Sequence, residues 1–429
     1  MFLTMPLISQ LVSATVLTHA RSRSRKAPTR MNRKNRSILI VLLPVVILAA
    51  TGWYVLGQRD NADETNATQN QADSSEGEGR NTLRLVATGD MIAHDSVIAN
   101  AETNGGYDFY SLMQNMQPYF AQADVSFCNE ATPAGGEQFG ISGYPIFNAP
   151  LEWHDGMEQV GCSVINLGTN HTYDKGEPLV DAMVADWQGR DVLATAGAHQ
   201  SQAEREQISY FELDGVSFAF LSYSTYSNQL VPNDYSLVQY DEQTATREIR
   251  QAADSADIVL VSMRWGDEYA EEPNARDSTI ARTIAEAGAD YVFGHGPHVL
   301  QPVERINTDD GRETVVWYSL GNFLNTQIPA ETLVGGFAVM DIDTETLKLE
   351  SLGFLPTYSH YEWSADDAVV ENLLTRENLQ MYALDEVDDS YFQRNQLDTT
   401  VQTEREHLTN VLNRMTEVTI LSSSDYLRN

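Results

Sequence analysis

Seven short apolar runs punctuate the chain: LRLVAT at 83–88, DVSFC at 124–128, SVINL at 163–167, VSFAFLS at 216–222, DIVLVSM at 257–263, YVFG at 291–294 and TVVWYSL at 314–320. Most are continuously apolar, as strands buried on both faces must be. Helical spacing lies between them. Ala245, Ile249 and Ala252 share one face, as do Ile280, Ile284 and Ala287, with Gly288 as a stop. Alternation of strands and helices predicts a layered α/β fold with a largely parallel central sheet. After Phe354 the pattern turns polar and helical, over Asp366 to Tyr382 and Thr399 to Val418, which predicts a helical extension over 356–429 behind an α/β domain at 81–355.

Upstream, Ile38 to Leu56 carries no charge. At ~1.5 Å per helical residue that roughly spans a bilayer core, so 38–57 is expected to be a membrane helix. Residues 1–37 contain basic residues and no acids, whereas acids begin at Asp60. The positive-inside rule then leaves a basic segment in the cytoplasm and the main domain outside. A cleaved signal sequence starting at Met31 is the alternative reading. Residues 58–80 have almost no large apolar side chain and are expected to be a solvated acidic linker.

The net charge is −34, with 27 basic and 61 acidic residues. Eight of the basic residues precede position 58, so residues 58–429 carry 19 basic against 61 acidic residues, or −42. That argues against a nucleic-acid partner, which needs a basic patch. It also has a simple physical use, since dense Asp and Glu keep a surface hydrated, as in a saline environment. Cys128 and Cys162 each sit in an apolar strand-like run and are read as buried free thiols rather than a disulfide.

Polar clusters follow the carboxyl ends of the strands, where open α/β sheets gather their sites. They include Asp90 and His94, Asn129 and Glu130, Asn170 to Asp174, Arg264 to Glu268, His295 to His298, and Ser319 to Asn322. Carboxylate, amide and imidazole groups brought from separate strands to one point are what a hydrolytic metal centre uses.

Six of these clusters together, Gly89-Asp90-Met91, Asn129 with Thr132-Pro133, Asn170 to Gly176, Trp265 to Tyr269, Pro297 to Pro302 and Ser319 to Phe323, resemble the ordered motifs of the CapA family of bacterial capsule, or poly-γ-glutamate, synthesis proteins. That family's fold is similar to the calcineurin-like metallophosphoesterases, and the match covers roughly residues 83–325. The resemblance implies a catalytic set of Asp90, Asn170, His171 and Asp174. It implies metal ligation by Asp90, Asn129, His171 and His298 and a substrate or anion contact from Glu268; by their places in the same strand-end clusters, His295 is added as a metal ligand and Arg264 and Asn322 as substrate or anion contacts. It also implies a surface anionic polymer, or its synthesis machinery, as partner.

Three departures qualify this. Arg264 stands where the family has His before Trp-Gly. Glu130 is one residue off the family's glutamate and would face the opposite side of a strand. Gly296 replaces the first His of His-Pro-His, with His295 one step early. Guanidinium cannot ligate a metal but can clamp a phosphate or carboxylate bidentately. One divalent ion (Mn, Zn or Mg) rather than two is therefore expected, or an anion pocket without metal. The functional readings are a capsule-polymer assembly or export protein, an active metal-dependent hydrolase of phosphoester or polymer amide bonds, and a non-catalytic binding module.

Overall fold

A computed structural model describes residues 81–428. The expected basic segment 1–37, membrane helix 38–57 and linker 58–80 lie outside them. Among the described residues no helix is long and apolar enough to cross a membrane.

The fold packs a nine-stranded sheet against a six-stranded one. In chain order the strands are β1 (Thr82–Met91), β2 (Val125–Glu130), β3 (Val164–Asn166), β4 (Ala194–Ala196), β5 (Ser209–Leu213), β6 (Val216–Ser224), β7 (Ile258–Arg264) and β8 (Tyr291–His295). They continue with β9 (Val303–Asn307), β10 (Glu313–Trp317), β11 (Asn322–Leu324), β12 (Val334–Asp343), β13 (Leu349–Glu362), β14 (Glu377–Ala383) and β15 (Thr419–Ile420). The larger sheet runs β14-β13-β12-β1-β2-β3-β4, with β11 against β1 and β15 against β13. The smaller runs β9-β10-β8-β7-β6-β5.

Each of the seven apolar runs overlaps a strand, and β1 to β4 pair in parallel, as do β6, β7, β8 and β10. Their apolar faces meet at Phe127, whose ring lies 4.7 Å from that of Phe293 and 5.8 Å from that of Phe220. Helices α1 (Glu152–Val160) and α2 (Glu177–Gln188) follow β2 and β3. The expected amphipathic helices are α3 (Glu242–Ala253) and α4 (Ala275–Ala287); they bury Ala245, Ile249, Ala252, Ile280 and Ile284 in a second apolar layer with the outer face of the smaller sheet.

The C-terminal region departs from expectation. Strand β13 runs straight through the expected boundary at 355/356, and β12, β13 and β14 form an antiparallel wing on β1. Asp366 to Tyr382 is not a helix but a short turn of helix (Ala365–Val369) followed by β14. The alternation of Leu379, Met381 and Ala383, all buried, is the strand period that the polar residues between them obscured. Only Thr399 to Val418 keeps its helix, α5 (Val401–Leu412). The free-thiol reading is also corrected: Cys128 on β2 and Cys162, just before the adjacent β3, form a disulfide with Cα atoms 5.7 Å apart.

Candidate functional site

Strand register builds the site. Asp90 at the end of β1 is level with Asn129 of β2 on one side and Asn322 of β11 on the other, and Asn129 is level with Asn166 of β3. In the second sheet, Arg264 of β7 is level with His295 of β8 and Ser224 of β6. The two rows face a cavity of about 370 Å³ lined by Asp90, His94, Asn129, Asn170, His171, Arg264, Glu268, His298 and Arg376, with Tyr144, Tyr269, Ile328 and Leu373 among its apolar residues.

Asp90 is 2 % exposed and fully engaged. Asn129 Nδ2 donates to its Oδ1 at 2.6 Å, and Asn166 Nδ2 donates in turn to Asn129 Oδ1 at 2.6 Å, which fixes the amide so that its NH₂ faces the carboxylate. His298 Nδ1 lies 2.8 Å from Asp90 Oδ2 and 3.1 Å from Asn322 Oδ1. His295 Nδ1 is 3.6 Å from Asp90 Oδ1, beyond hydrogen-bond distance, and burial pushes this imidazole down, toward its neutral form. Burial pushes Asp90 up, but the two imidazoles outweigh it and hold the carboxyl well below its ordinary range. His298 adopts φ +63°, a left-handed backbone that a histidine holds only under constraint, as does Tyr269 on the same rim; Tyr269 N donates to Pro297 O at 2.8 Å.

Arg264 is 3 % exposed and has no carboxylate within ion-pair distance among the described residues. Nε donates to Asn170 Oδ1 at 2.7 Å, one Nη to Trp265 O at 2.9 Å and the other to Tyr226 Oη at 2.6 Å, with the guanidinium over the Tyr226 ring. Two of the departures meet here. Gly296 has φ +118°, and a Cβ there would collide with Arg264 Nη1, so the arginine fills space that a side chain at 296 would need.

The remaining expected residues divide. His171 lines the cavity, held by Asp174 Oδ2 at 2.8 Å; Asp174 also accepts Phe147 N at 2.8 Å and is not on the cavity wall, so it positions His171. Glu268 is exposed at the cavity mouth, while Asn322 and His295 are buried beside Asp90 rather than on the wall. The expected metal set is not assembled: His171 is turned to Asp174, and among the described residues no group of three or more His, Cys, Asp or Glu is arranged to hold a metal ion. His295 nonetheless has both ring nitrogens buried and unpartnered. His94 Nδ1 is likewise unpartnered, and burial, reinforced by the charges of Arg376, His298 and His171, pushes this imidazole down to about 3.

Glu130 does face the opposite side of β2. Its Oε1 meets His154 Nε2 at 2.9 Å and its Oε2 accepts Trp187 Nε1 at 2.7 Å; His154 Nδ1 contacts Asp186 Oδ2 at 2.7 Å, which also holds Arg190 at 2.6 Å. Sequence reasoning missed Asn166, Tyr226 and Arg376. Asn166 was detectable as the one amide inside the apolar run SVINL; the other two have no local signal.

Residues 84–327 match the family model described as "Bacterial capsule synthesis protein PGA_cap". The chain belongs to this family. Among curated relatives, the PGA biosynthesis protein CapA of Bacillus subtilis (strain 168) is 25% identical over 311 residues, 70% of this chain and 76% of the relative. The capsule biosynthesis protein CapA of Bacillus anthracis is 26% identical over 317 residues, 70% of this chain and 71% of the relative. A crystal structure of a hypothetical protein from Thermus thermophilus overlaps 70% of this chain and 98% of its own at 13% identity and TM-score 0.36, too loosely to carry an argument. Asp90, Arg264 and His298 all fall inside the family-matched span, whereas Arg376 lies beyond it.

Proposed function

We propose that this capsule-synthesis family protein works outside the membrane, anchored by its N-terminal apolar segment, in assembly or export of an anionic polymer of the poly-γ-glutamate type. Its cavity is read as the polymer's contact site. The observation that carries this reading is Arg264, a buried guanidinium without an acidic partner, set in the same cavity wall as Asp90 and His298. Such a group holds a carboxylate or phosphate bidentately where water is largely excluded. The Cys128–Cys162 disulfide supports the extracytoplasmic location, because such bonds persist in oxidising compartments.

In the host, an Arg264→Gln allele in place of the wild-type gene is expected to reduce surface polymer in amount, length or attachment. Unchanged polymer in both this strain and a deletion strain would overturn the proposal.

A second reading is an active metal-dependent hydrolase, favoured by the two unpartnered nitrogens of His295 next to Asp90. Asp90, His295 and His298 are not arranged as a metal site in this structure, so they would have to turn their donor atoms together to hold one divalent ion, whose chemistry would be activation of a water molecule. Elemental analysis of the purified chain decides it: a stoichiometric metal lost on Asp90→Ala supports this reading, and no bound metal after incubation with Mn, Zn or Mg ends it.

A further inference from the structure

Three arginines are buried among the described residues: Arg84, Arg264 and Arg376. Arg84 is paired with Asp341 at 2.7 Å. The other two have no carboxylate within ion-pair distance, and both line the same cavity. In a domain with more than three acids for each base, two uncompensated buried cations facing one space are not a by-product of composition.

Arg376 is 5 % exposed. Its Nε donates to Leu373 O at 2.8 Å, and its guanidinium lies 5.4 Å from the Tyr361 ring and 5.9 Å from that of Trp363. Neither Nη group has a hydrogen-bond partner among the described residues. The backbone that carries it is clamped: Asn100 Nδ2 donates to Arg376 O at 2.7 Å and Asn100 Oδ1 accepts Leu379 N at 3.0 Å. The side chain is thus held by stacking and backbone bonds that leave its charged end open. Arg264 is held in the same manner by Asn170, Trp265 O and Tyr226, with one N–H left on each Nη. A cavity of about 370 Å³ is within the ~300–1,000 Å³ of small-ligand sites, and its apolar lining at Tyr269, Ile328 and Leu373 suits the methylene carbons between charged groups.

We propose that Arg376, supplied from beyond the family-matched span, is a second cation of this site, and that the cavity takes a ligand carrying two separated carboxylates, one for each guanidinium. Resting on the polymer reading above, these are two carboxylates of a short γ-glutamyl segment. Asp90 does not pair with either arginine: it lies beyond ion-pair distance of both, and its oxygens are taken by His298 and Asn129; Glu268 sits at the exposed mouth.

Calorimetric titration of the purified full-length chain with tetra-γ-glutamate, glutarate, glutamate and inorganic phosphate tests this. Wild type is expected to bind the tetramer at least about ten-fold more tightly than phosphate, from one additional charge-assisted contact. Arg376→Gln should erase that advantage, and Arg376→Lys should restore part of it, with an unchanged melting temperature showing that the fold is intact. Tetramer affinity identical in wild type and Arg376→Gln would overturn the inference while leaving the polymer reading standing. Arg376-dependent binding of glutarate without binding of the tetramer would uphold the two-cation site and overturn the polymer reading. Phosphate bound as tightly as either dicarboxylate would also overturn the inference.

Discussion

Two neighbouring residues of one strand, Asn129 and Glu130, point into two carboxylate–histidine arrangements that differ in a single respect. On one side of β2, Asp90 meets His298, whose side chain is 16 % exposed to the cavity. On the other, Glu130 meets His154 and both side chains are fully buried. In the closed arrangement both carboxylate oxygens and both ring nitrogens have protein partners. In the open one the partners converge on Asp90 but leave a face of the site, the nitrogens of His295 and the ends of two arginines unspent. The same chemical pair therefore serves stability when its bonds are completed by the fold, and is available to a ligand when they are not.

The largest effect is expected on the closed side. Glu130→Ala orphans His154 Nε2 and Trp187 Nε1 in a dry interior and should cost about 3–5 kcal/mol in urea unfolding. A cost below about 1 kcal/mol would break the distinction. Asp90→Ala, whose former partners can turn to cavity water, should cost less than about 2 kcal/mol while failing to restore surface polymer in a deletion strain.

Acidity separates His154 of the closed pair from His94 of the cavity wall by sign. His154 is raised: burial lowers it, but Glu130 and Asp186 outweigh burial, so the folded state holds a proton that the unfolded state releases above about 6.5. Its contribution is present below that value and fades as pH rises through the folded value. His94 is pushed down to about 3, so the unfolded state takes up a proton first and stability is lost as pH falls from about 6.5 toward 3. His199 and His360, each pushed down to about 4 chiefly by burial, act in the same direction. His94→Phe should flatten part of the acid limb of the urea midpoint against pH and leave the alkaline limb unchanged. The smallest effect is a surface control: Arg414→Ala, which removes exposed contacts to Glu271 and Glu272, should change stability by less than about 1 kcal/mol and lose that change in high salt.

Legibility in the sequence followed burial. Strands covered on both faces, such as β2 and β7, announced themselves as unbroken apolar runs, and the strand period correctly turned Glu130 away from the cavity. The antiparallel wing did not, because β13 and β14 mix polar with apolar residues and their pairing partners lie far along the chain. Asp90, Asn129, Asn170, Arg264 and His298 were visible as polar residues following apolar runs. Arg376 was not, since it reaches the cavity through the placement of the whole wing, and no residue near it in sequence reveals that. The disulfide was missed for a related reason: whether two cysteines meet depends on β2 and β3 being neighbours, which neither run states.

The buried arginines also set a kinetic expectation. A polyanion approaching a domain of net charge −42 is repelled once it comes within a Debye length, ~8 Å at physiological salt, whereas the guanidiniums proposed to hold it are shielded inside. Capture should therefore quicken as ionic strength rises, while release, governed by contacts away from bulk ions, changes little. Over that range the cavity would hold an anionic chain better in brine than in dilute buffer.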